Sequence, residues 1–436
     1  MHLYSTNNPG VRVTFQEALF KGLPADKGLY MPSALPVLPE DFIQRLEKYS
    51  FQEIAFRIAE HLLMGEIPGN ALEAIIEQAV SFPAPLVELD SNTFILELFH
   101  GPSMAFKDFG ARFMAQTMAY FNKETDRDLY ILVATSGDTG GAVAAGFHNT
   151  PGTHVVILYP SGKVSPLQEK QLTTLGGNVA ALEVMGTFDD CQALVKQAFL
   201  DEDLNTTMRL SSANSINIAR LIPQSFYYFE AWKQLPHYDL PVVFSVPSGN
   251  FGNLTAGLMA KKMGLPVSRF LAATNANKVV PEYLETGKYN PRPSVRTISN
   301  AMDVGAPSNF ARMQDLYSST WNAMRADIAG FSFSDEQTRD AMQALEKKNG
   351  YMLDPHGAVG FLAFREYQKH VEPVQGIILE TAHPAKFRED VSQIFGHEVD
   401  LPLRLLELTD KQKISVVIPP VYSAVKDWLM EYSKGR

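Results

Sequence analysis

The stretch His100-Gly101-Pro102-Ser103-Met104-Ala105-Phe106-Lys107-Asp108-Phe109-Gly110 sets one lysine between aromatic residues where a helical pattern begins. Phe109, Phe113, Met114 and Tyr120 then recur at helical spacing, which places Lys107 near a helix N-terminus. The helix dipole and the apolar neighbours both disfavour a cation there, so both weaken the amine's hold on its proton. A neutral amine is what condensation with a carbonyl needs. A solvated surface lysine is the ordinary alternative for any single Lys, and flanking Phe106 and Phe109 sit poorly with it.

Four further groups carry polar chemistry. Ser248-Gly249-Asn250-Phe251-Gly252-Asn253 follows an apolar run and precedes a helical pattern over 254–263. Two glycines there let backbone N–H groups turn towards an anion, and the next helix N-terminus adds its positive end; a plain structural turn is the alternative. No Gly-Lys-Ser/Thr follows, so this is not a nucleotide-binding lysine loop. Thr135-Ser136-Gly137-Asp138-Thr139-Gly140 offers hydroxyls and N–H groups suited to a carboxylate, or again a turn. Asn214, Ser215 and Arg220 bring amide, hydroxyl and guanidinium together, and Arg220 could grip a phosphate in a forked geometry or form a helix-surface salt bridge. Thr381-Ala382-His383-Pro384-Ala385-Lys386 is the last group. Asp138, and Asp354 with His356, are conceivable acid–base groups, although turn-stabilising roles suit each.

The elements that must position these groups are short and apolar. Runs at 130–134, 155–159, 242–246, 270–273 and 377–379 are continuously apolar, which indicates strands buried on both faces of a parallel sheet. Residues 140–147 suit a close-packed crossover helix between the first two runs, a βαβ unit. In such sheets ligands bind beyond the carboxyl ends of the strands. Polar loops follow the runs at 135–140, 160–163, 247–253, 274–277 and 381–384, and the expectation is that all five meet at one site. The first ninety or so residues read differently, as helical patterns at 41–49 and 53–63 broken by Pro-rich stretches. Residues 289–309 read as a long loop or lid.

Bulk properties narrow the class. The chain has 436 residues, enough for two or three domains, with 45% hydrophobic and 20% charged residues, a soluble globular balance. A net charge of -10 argues against broad nucleic-acid binding, which needs excess Lys and Arg. Cys191 is the single cysteine, so no intrachain disulfide forms. The ten histidines show no metal-binding spacing, so no metal is expected. The opening residues lack a secretory pattern and no apolar run could span a bilayer, so a cytoplasmic location without membrane contact is expected.

Together the motifs resemble those of threonine synthase, in its longer form with an N-terminal extension, across essentially the whole chain. Residues 15–23 with 27–32 look like that family's opening, and 98–109 like its cofactor-lysine motif. Residues 134–140, 165–168, 214–220, 248–252 and 381–387 look like further motifs in the family's order. The resemblance implies fold type II of the pyridoxal-phosphate enzymes, the tryptophan synthase β-like arrangement. That is two open parallel-sheet α/β domains plus a mainly helical N-terminal segment, at approximate bounds 1–90, 91–220 and a discontinuous 221–436. It implies that Lys107 holds pyridoxal 5'-phosphate as a Schiff base, that Gly249, Asn250, Phe251 and Asn253 hold its phosphate, and that Thr381 meets the pyridine nitrogen and Asp138 the phenolic oxygen. Thr135, Ser136, Gly137 and Thr139 would face a substrate carboxylate, and Asn214, Ser215 and Arg220 a substrate phosphate. Asn253 stands where many longer members carry Asp, and Asp138 where many relatives of the fold carry Asn. The implied reaction turns O-phospho-L-homoserine and water into L-threonine and phosphate. A Ser/Thr deaminase-like lyase, or a non-catalytic binding protein on the same fold, are the alternatives.

Overall fold

The computed structural model describes residues 1–434 apart from Glu124, Asp126 and Ser136. The N-terminal segment opens with a small antiparallel sheet, β1 (His2–Ser5), β2 (Asn8–Thr14) and β3 (Tyr30–Pro32), in the order β2-β1-β3. Ser5 pairs with Asn8, so the hairpin turns on Thr6 and Asn7 alone. The segment's longer helices are α1 (Phe15–Lys21), between β2 and β3, then α2 (Phe51–Leu63) and α3 (Gly69–Ala79). Thr14 and Ser50 each start a helix by a capping box, with Glu17 and Glu53 as reciprocal partners. The expectation of a mainly helical segment therefore misses a sheet. The helical pattern expected over 41–49 is a short helix at Glu40–Ile43 and a 3-10 turn at Leu46–Lys48.

Two larger sheets form the body. A six-stranded sheet holds β4 (Leu86–Asp90), β5 (Thr93–Glu97), β10 (Val242–Pro247), β11 (Arg269–Thr274), β12 (Ile328–Ser332) and β13 (Gln375–Glu380), ordered β12-β11-β10-β13-β5-β4. A five-stranded parallel sheet holds β6 (Leu129–Ala134), β7 (Thr153–Pro160), β8 (Val179–Val184), β9 (Arg209–Ser212) and β14 (Val416–Ile418), ordered β14-β8-β7-β6-β9. All five expected strands are present, and every residue of β7, β10 and β13 is buried, as continuous apolar runs require. The larger sheet is parallel except for β4, which pairs antiparallel with β5.

Sheet membership crosses the expected domain bounds. Strand β5 pairs in parallel with β13, from Thr93 beside Gly376 to Glu97 beside Glu380, so it belongs with strands beyond residue 221. Strand β14 returns to the five-stranded sheet by pairing with β8. The chain thus passes from the larger sheet into α4 (Lys107–Asn122), then α5 (Asp138–Phe147), α6 (Gly252–Lys262) and α7 (Pro355–Tyr367). The core is continuous with the N-terminal segment, since Phe109 of α4 packs 4.6 Å from Phe82 and 5.3 Å from Tyr227. No helix among the described residues is long and apolar enough to cross a membrane.

Candidate active site

Lys107 is the first residue of α4, and no side chain caps that helix start. Its loop is stitched to the end of β13: Phe106 N–H donates to Thr381 O at 2.9 Å and His383 N–H to Met104 O at 3.1 Å. These bonds set Lys107 and Thr381 along one cavity wall. The Lys107 side chain is 18% exposed, and its Nζ lies 3.8 Å from Asp138 Oδ2. Burial draws the amine below its ordinary range; Asp138 opposes this, while Lys386 and Arg220 add to it. Asp138 is held well below the carboxylate range. Burial alone would raise it, but Lys386 at 2.6 Å and then Lys107 outweigh that effect. Gln168 Nε2 also donates to Asp138 Oδ1, at 3.0 Å.

Two cavities meet at Lys107. One, of about 160 Å³, is lined by Lys107, Arg220, Ser215, Thr381 and the loop 248–253. The other, of about 300 Å³, is lined by Asp138, Gln168, Phe188 and the loop 300–304. Lys107, Thr139 and Ala301 line both.

The glycine loop between β10 and α6 builds the first cavity. Phe251 takes a left-handed φ of 60° to bring the backbone round into α6. A Cβ on Gly249 would come 2.7 Å from Met302 Cα and 2.9 Å from Ala301 O, so only glycine lets loop 300–304 close over the turn. Asn250 spends its side chain on the walls: Nδ2 donates to Ser215 Oγ at 3.2 Å, and Oδ1 accepts from Ser308 N–H at 2.6 Å. Asn253 Oδ1 accepts from both Tyr227 and Tyr228 hydroxyls at 2.7 Å. Asn253 Nδ2, Asn309 Nδ2 and Arg220 Nε are buried and have no hydrogen-bond partner among the described residues. All three residues line this cavity. A buried donor left unmade costs about 1–3 kcal/mol, so the cavity fits an anion rich in acceptors, as a phosphate is.

Other expected site residues are placed differently. Thr135 lines neither cavity; its hydroxyl faces its own loop, accepting from Gly137 N–H and Gly140 N–H at 3.0 and 2.8 Å. Gly137 also lines neither and packs against the Gln168 amide, with a φ of 145°. Asn214 lines neither, and its carbonyl accepts from Asn217 N–H. Ser136 lies outside the described residues. Asn250 acts here through its walls, and the glycine loop and Arg220, expected at separate phosphates, share one cavity.

The five expected loops do not all converge. Those at 135–140, 247–253 and 381–384 reach the cavities, whereas Ser161 of 160–163 bonds Glu183 beside the smaller sheet. Loop 274–277 acts indirectly: Asn275 and Asn277 donate to Asp303 at 3.0 and 3.2 Å, fixing the loop read as a lid. His356 holds the same loop by accepting Ala301 N–H at Nε2, 3.2 Å away. Sequence reasoning assigned no role to Lys386, Gln168 or Asn309. Lys386 and Gln168 lay within quoted motifs, but nothing in the sequence distinguished them from helix-surface residues.

Comparisons with known proteins give the family. Residues 80–379 match the family model described as pyridoxal-phosphate dependent enzyme, 2–80 that of threonine synthase N terminus, and 357–429 that of threonine synthase, C-terminal. The threonine synthase of Haemophilus influenzae is 48% identical over 92% of this chain and 93% of its own. The chain belongs to the threonine synthase family. The crystal structure of threonine synthase from Escherichia coli is similar with a TM-score of 0.90 and 45% identity, covering 99% of this chain and 100% of that one. A pyridoxal-phosphate-bound threonine synthase from Brucella melitensis is similar with a TM-score of 0.94 and 36% identity, covering 99% of both chains. The fold is accordingly fold type II and the cofactor pyridoxal phosphate. The activity that goes with membership of the threonine synthase family is that of a pyridoxal-phosphate-dependent lyase.

Proposed function

We propose that this chain converts O-phospho-L-homoserine and water to L-threonine and inorganic phosphate, with Lys107 as the catalytic amine. The observation that carries the reading is a half-buried lysine of weakened basicity at the junction of two cavities, one lined by residues with unpartnered donors for a phosphate. Bound pyridoxal phosphate supplies an electron sink for negative charge at the substrate carbons.

The chain's own groups do the rest. Lys107 Nζ is the amine to which the cofactor attaches, and once free it carries protons at substrate Cα and Cβ, within the reach a general base needs. The backbone of Gly249, Asn250 and Phe251, with the unpartnered Nδ2 groups of Asn253 and Asn309, holds the cofactor phosphate. Thr381 offers a neutral hydroxyl to the pyridine nitrogen. Thr139, which lines both cavities, takes the substrate carboxylate. Ser215 and Arg220 take its phosphate, with Asn214 supporting their loop. In the net reaction the Cγ–O bond breaks and phosphate leaves, Cβ gives up one hydrogen and takes the hydroxyl of water, and Cγ gains a proton to become the methyl group.

Arg220 favours this reading over deamination of serine or threonine, because those substrates carry no second anion to match a buried guanidinium. The test is to supply O-phospho-L-homoserine to the purified protein with its cofactor and assay products. Threonine and phosphate in equal amounts support the reading. Release of ammonia and a keto acid in place of threonine overturns it.

A further inference from the structure

Three charged side chains are linked beside the larger of the two cavities, which Lys107 and Asp138 line. Lys386 Nζ lies 2.6 Å from Asp138 Oδ1, and Asp138 Oδ2 lies 3.8 Å from Lys107 Nζ. The Lys386 side chain is 1% exposed, and Asp138 7%. Burying an ammonium costs several kcal/mol unless close partners replace its water. Lys386 has two such partners, Asp138 and the Ser103 carbonyl at 2.8 Å. The Ser103 bond is not needed to hold the loops together. The Ala105–Ala382 bridge and the bonds from Phe106 to Thr381 and from His383 to Met104 already join the same segments through backbone. What Lys386 adds beyond those bonds is its contact with Asp138.

We propose that Lys386 is a positioning residue that, by engaging Asp138, sets how tightly the Lys107 nitrogen holds its proton. The proposal rests on Lys107 being the amine that carries the cofactor. Without Lys386, a buried Asp138 would have one cation within reach, Lys107, and would keep it charged. Lys386 competes for that carboxylate, contacts it directly, and leaves Lys107 at the looser distance. Its own charge also repels a second cation across the carboxylate. The charged groups facing Lys107 are Asp138 of α5, Lys386 of the turn after β13, and Arg220. Asp108 at the start of α4 and His383 also feel the Lys386 charge. Two of the three charges around Lys107 thus favour its neutral form. Of the groups that keep Asp138 ionised against burial, Lys386 is foremost.

The sign of the effect follows from charge alone. Removing a buried positive charge makes every nearby proton harder to lose, whichever of Lys107 and Asp138 carries it. Removing the carboxylate instead exposes the Lys107 nitrogen to Lys386 without compensation and makes its proton easier to lose.

The test is a spectrophotometric pH titration of the visible cofactor band in the cofactor-loaded protein. Lys386→Met should raise the midpoint by about one to two pH units, the usual effect of one close charge. Lys386→Arg should restore it, and Asp138→Asn should lower it. The double variant Asp138→Asn with Lys386→Met should fall above Asp138→Asn alone. A folded Lys386→Met protein with the wild-type midpoint overturns the proposal. If Lys386→Met does not fold, equal midpoints for Asp138→Asn and the double variant overturn it, as does an Asp138→Asn midpoint no lower than wild type. A visible band that survives Lys107→Ala would instead refute the assignment of Lys107, and is told apart by that variant.

Discussion

Lys107 must shed a proton before it can bond carbon, and its surroundings are built to make that easy. Burial leads, and the helix N-terminus and neighbouring cations act in the same direction. Lys107→Ala should abolish threonine formation and the visible cofactor band while the far-ultraviolet circular dichroism stays unchanged. Turnover near the wild-type rate would remove Lys107 from its role. Arg220 makes the second prediction at this scale. It is 2% exposed, burial lowers its guanidinium to about 10, and its Nε is unpartnered among the described residues. Truncating one member of a buried charge pair costs about 2–5 kcal/mol, so Arg220→Ala should lower kcat/KM roughly 30-fold to 5,000-fold. Because Arg220 lines the same cavity as the glycine loop, the cofactor absorbance must be read beside the kinetics. Retained cofactor places Arg220 at the substrate phosphate, and lost cofactor with normal substrate binding places it at the cofactor's.

Elements decide whether those side chains meet. The turn from β10 into α6 works because loop 300–304 lies on Gly249, where a methyl group would press on backbone. Gly249→Ala should therefore displace the loop. Overpacking of about 1–3 kcal/mol would weaken cofactor binding about 5- to 150-fold in an absorbance titration. Unchanged affinity would mean that the loop yields freely. The strand–loop–helix units around this site were legible because 130–134, 242–246 and 377–379 are unbroken apolar runs, a pattern that parallel sheets impose. The small N-terminal sheet was not, since strands of three to seven residues give too few alternations to outweigh the helical patterns beside them. Strand β14 was hidden for a similar reason, having three residues and a partner, β8, more than two hundred positions away. Within the site, Lys107 and the glycine loop could be read from local spacing. Lys386 and Asn309 could not, because burial and free donors arise from contacts between distant segments.

At the scale of the molecule, buried charge couples the site to stability. Asp108, fully buried behind Lys107, is raised to about 6 by burial, against weaker lowering by Ser103, Lys386 and Arg112. An acid raised on folding favours the native state below its unfolded value, and that advantage is lost as pH rises through the folded value. Asp108 thus costs stability above about pH 6, on the order of 3 kcal/mol. Asp108→Asn should gain stability over the wild type between about pH 4 and pH 8 in urea melts, and a gap that does not widen with pH would contradict this. Asp138 runs the opposite way. It is depressed on folding, so its contribution is present above the ordinary carboxylate range and lost only in strong acid. The reaction breaks a C–O bond at Cγ and makes one at Cβ, and an isotope follows both at once. O-phospho-L-homoserine turned over in water enriched in oxygen-18 should give threonine with one heavy oxygen, in its hydroxyl, and phosphate with none. Homoserine with labelled phosphate, or a keto acid with ammonia, would contradict the account.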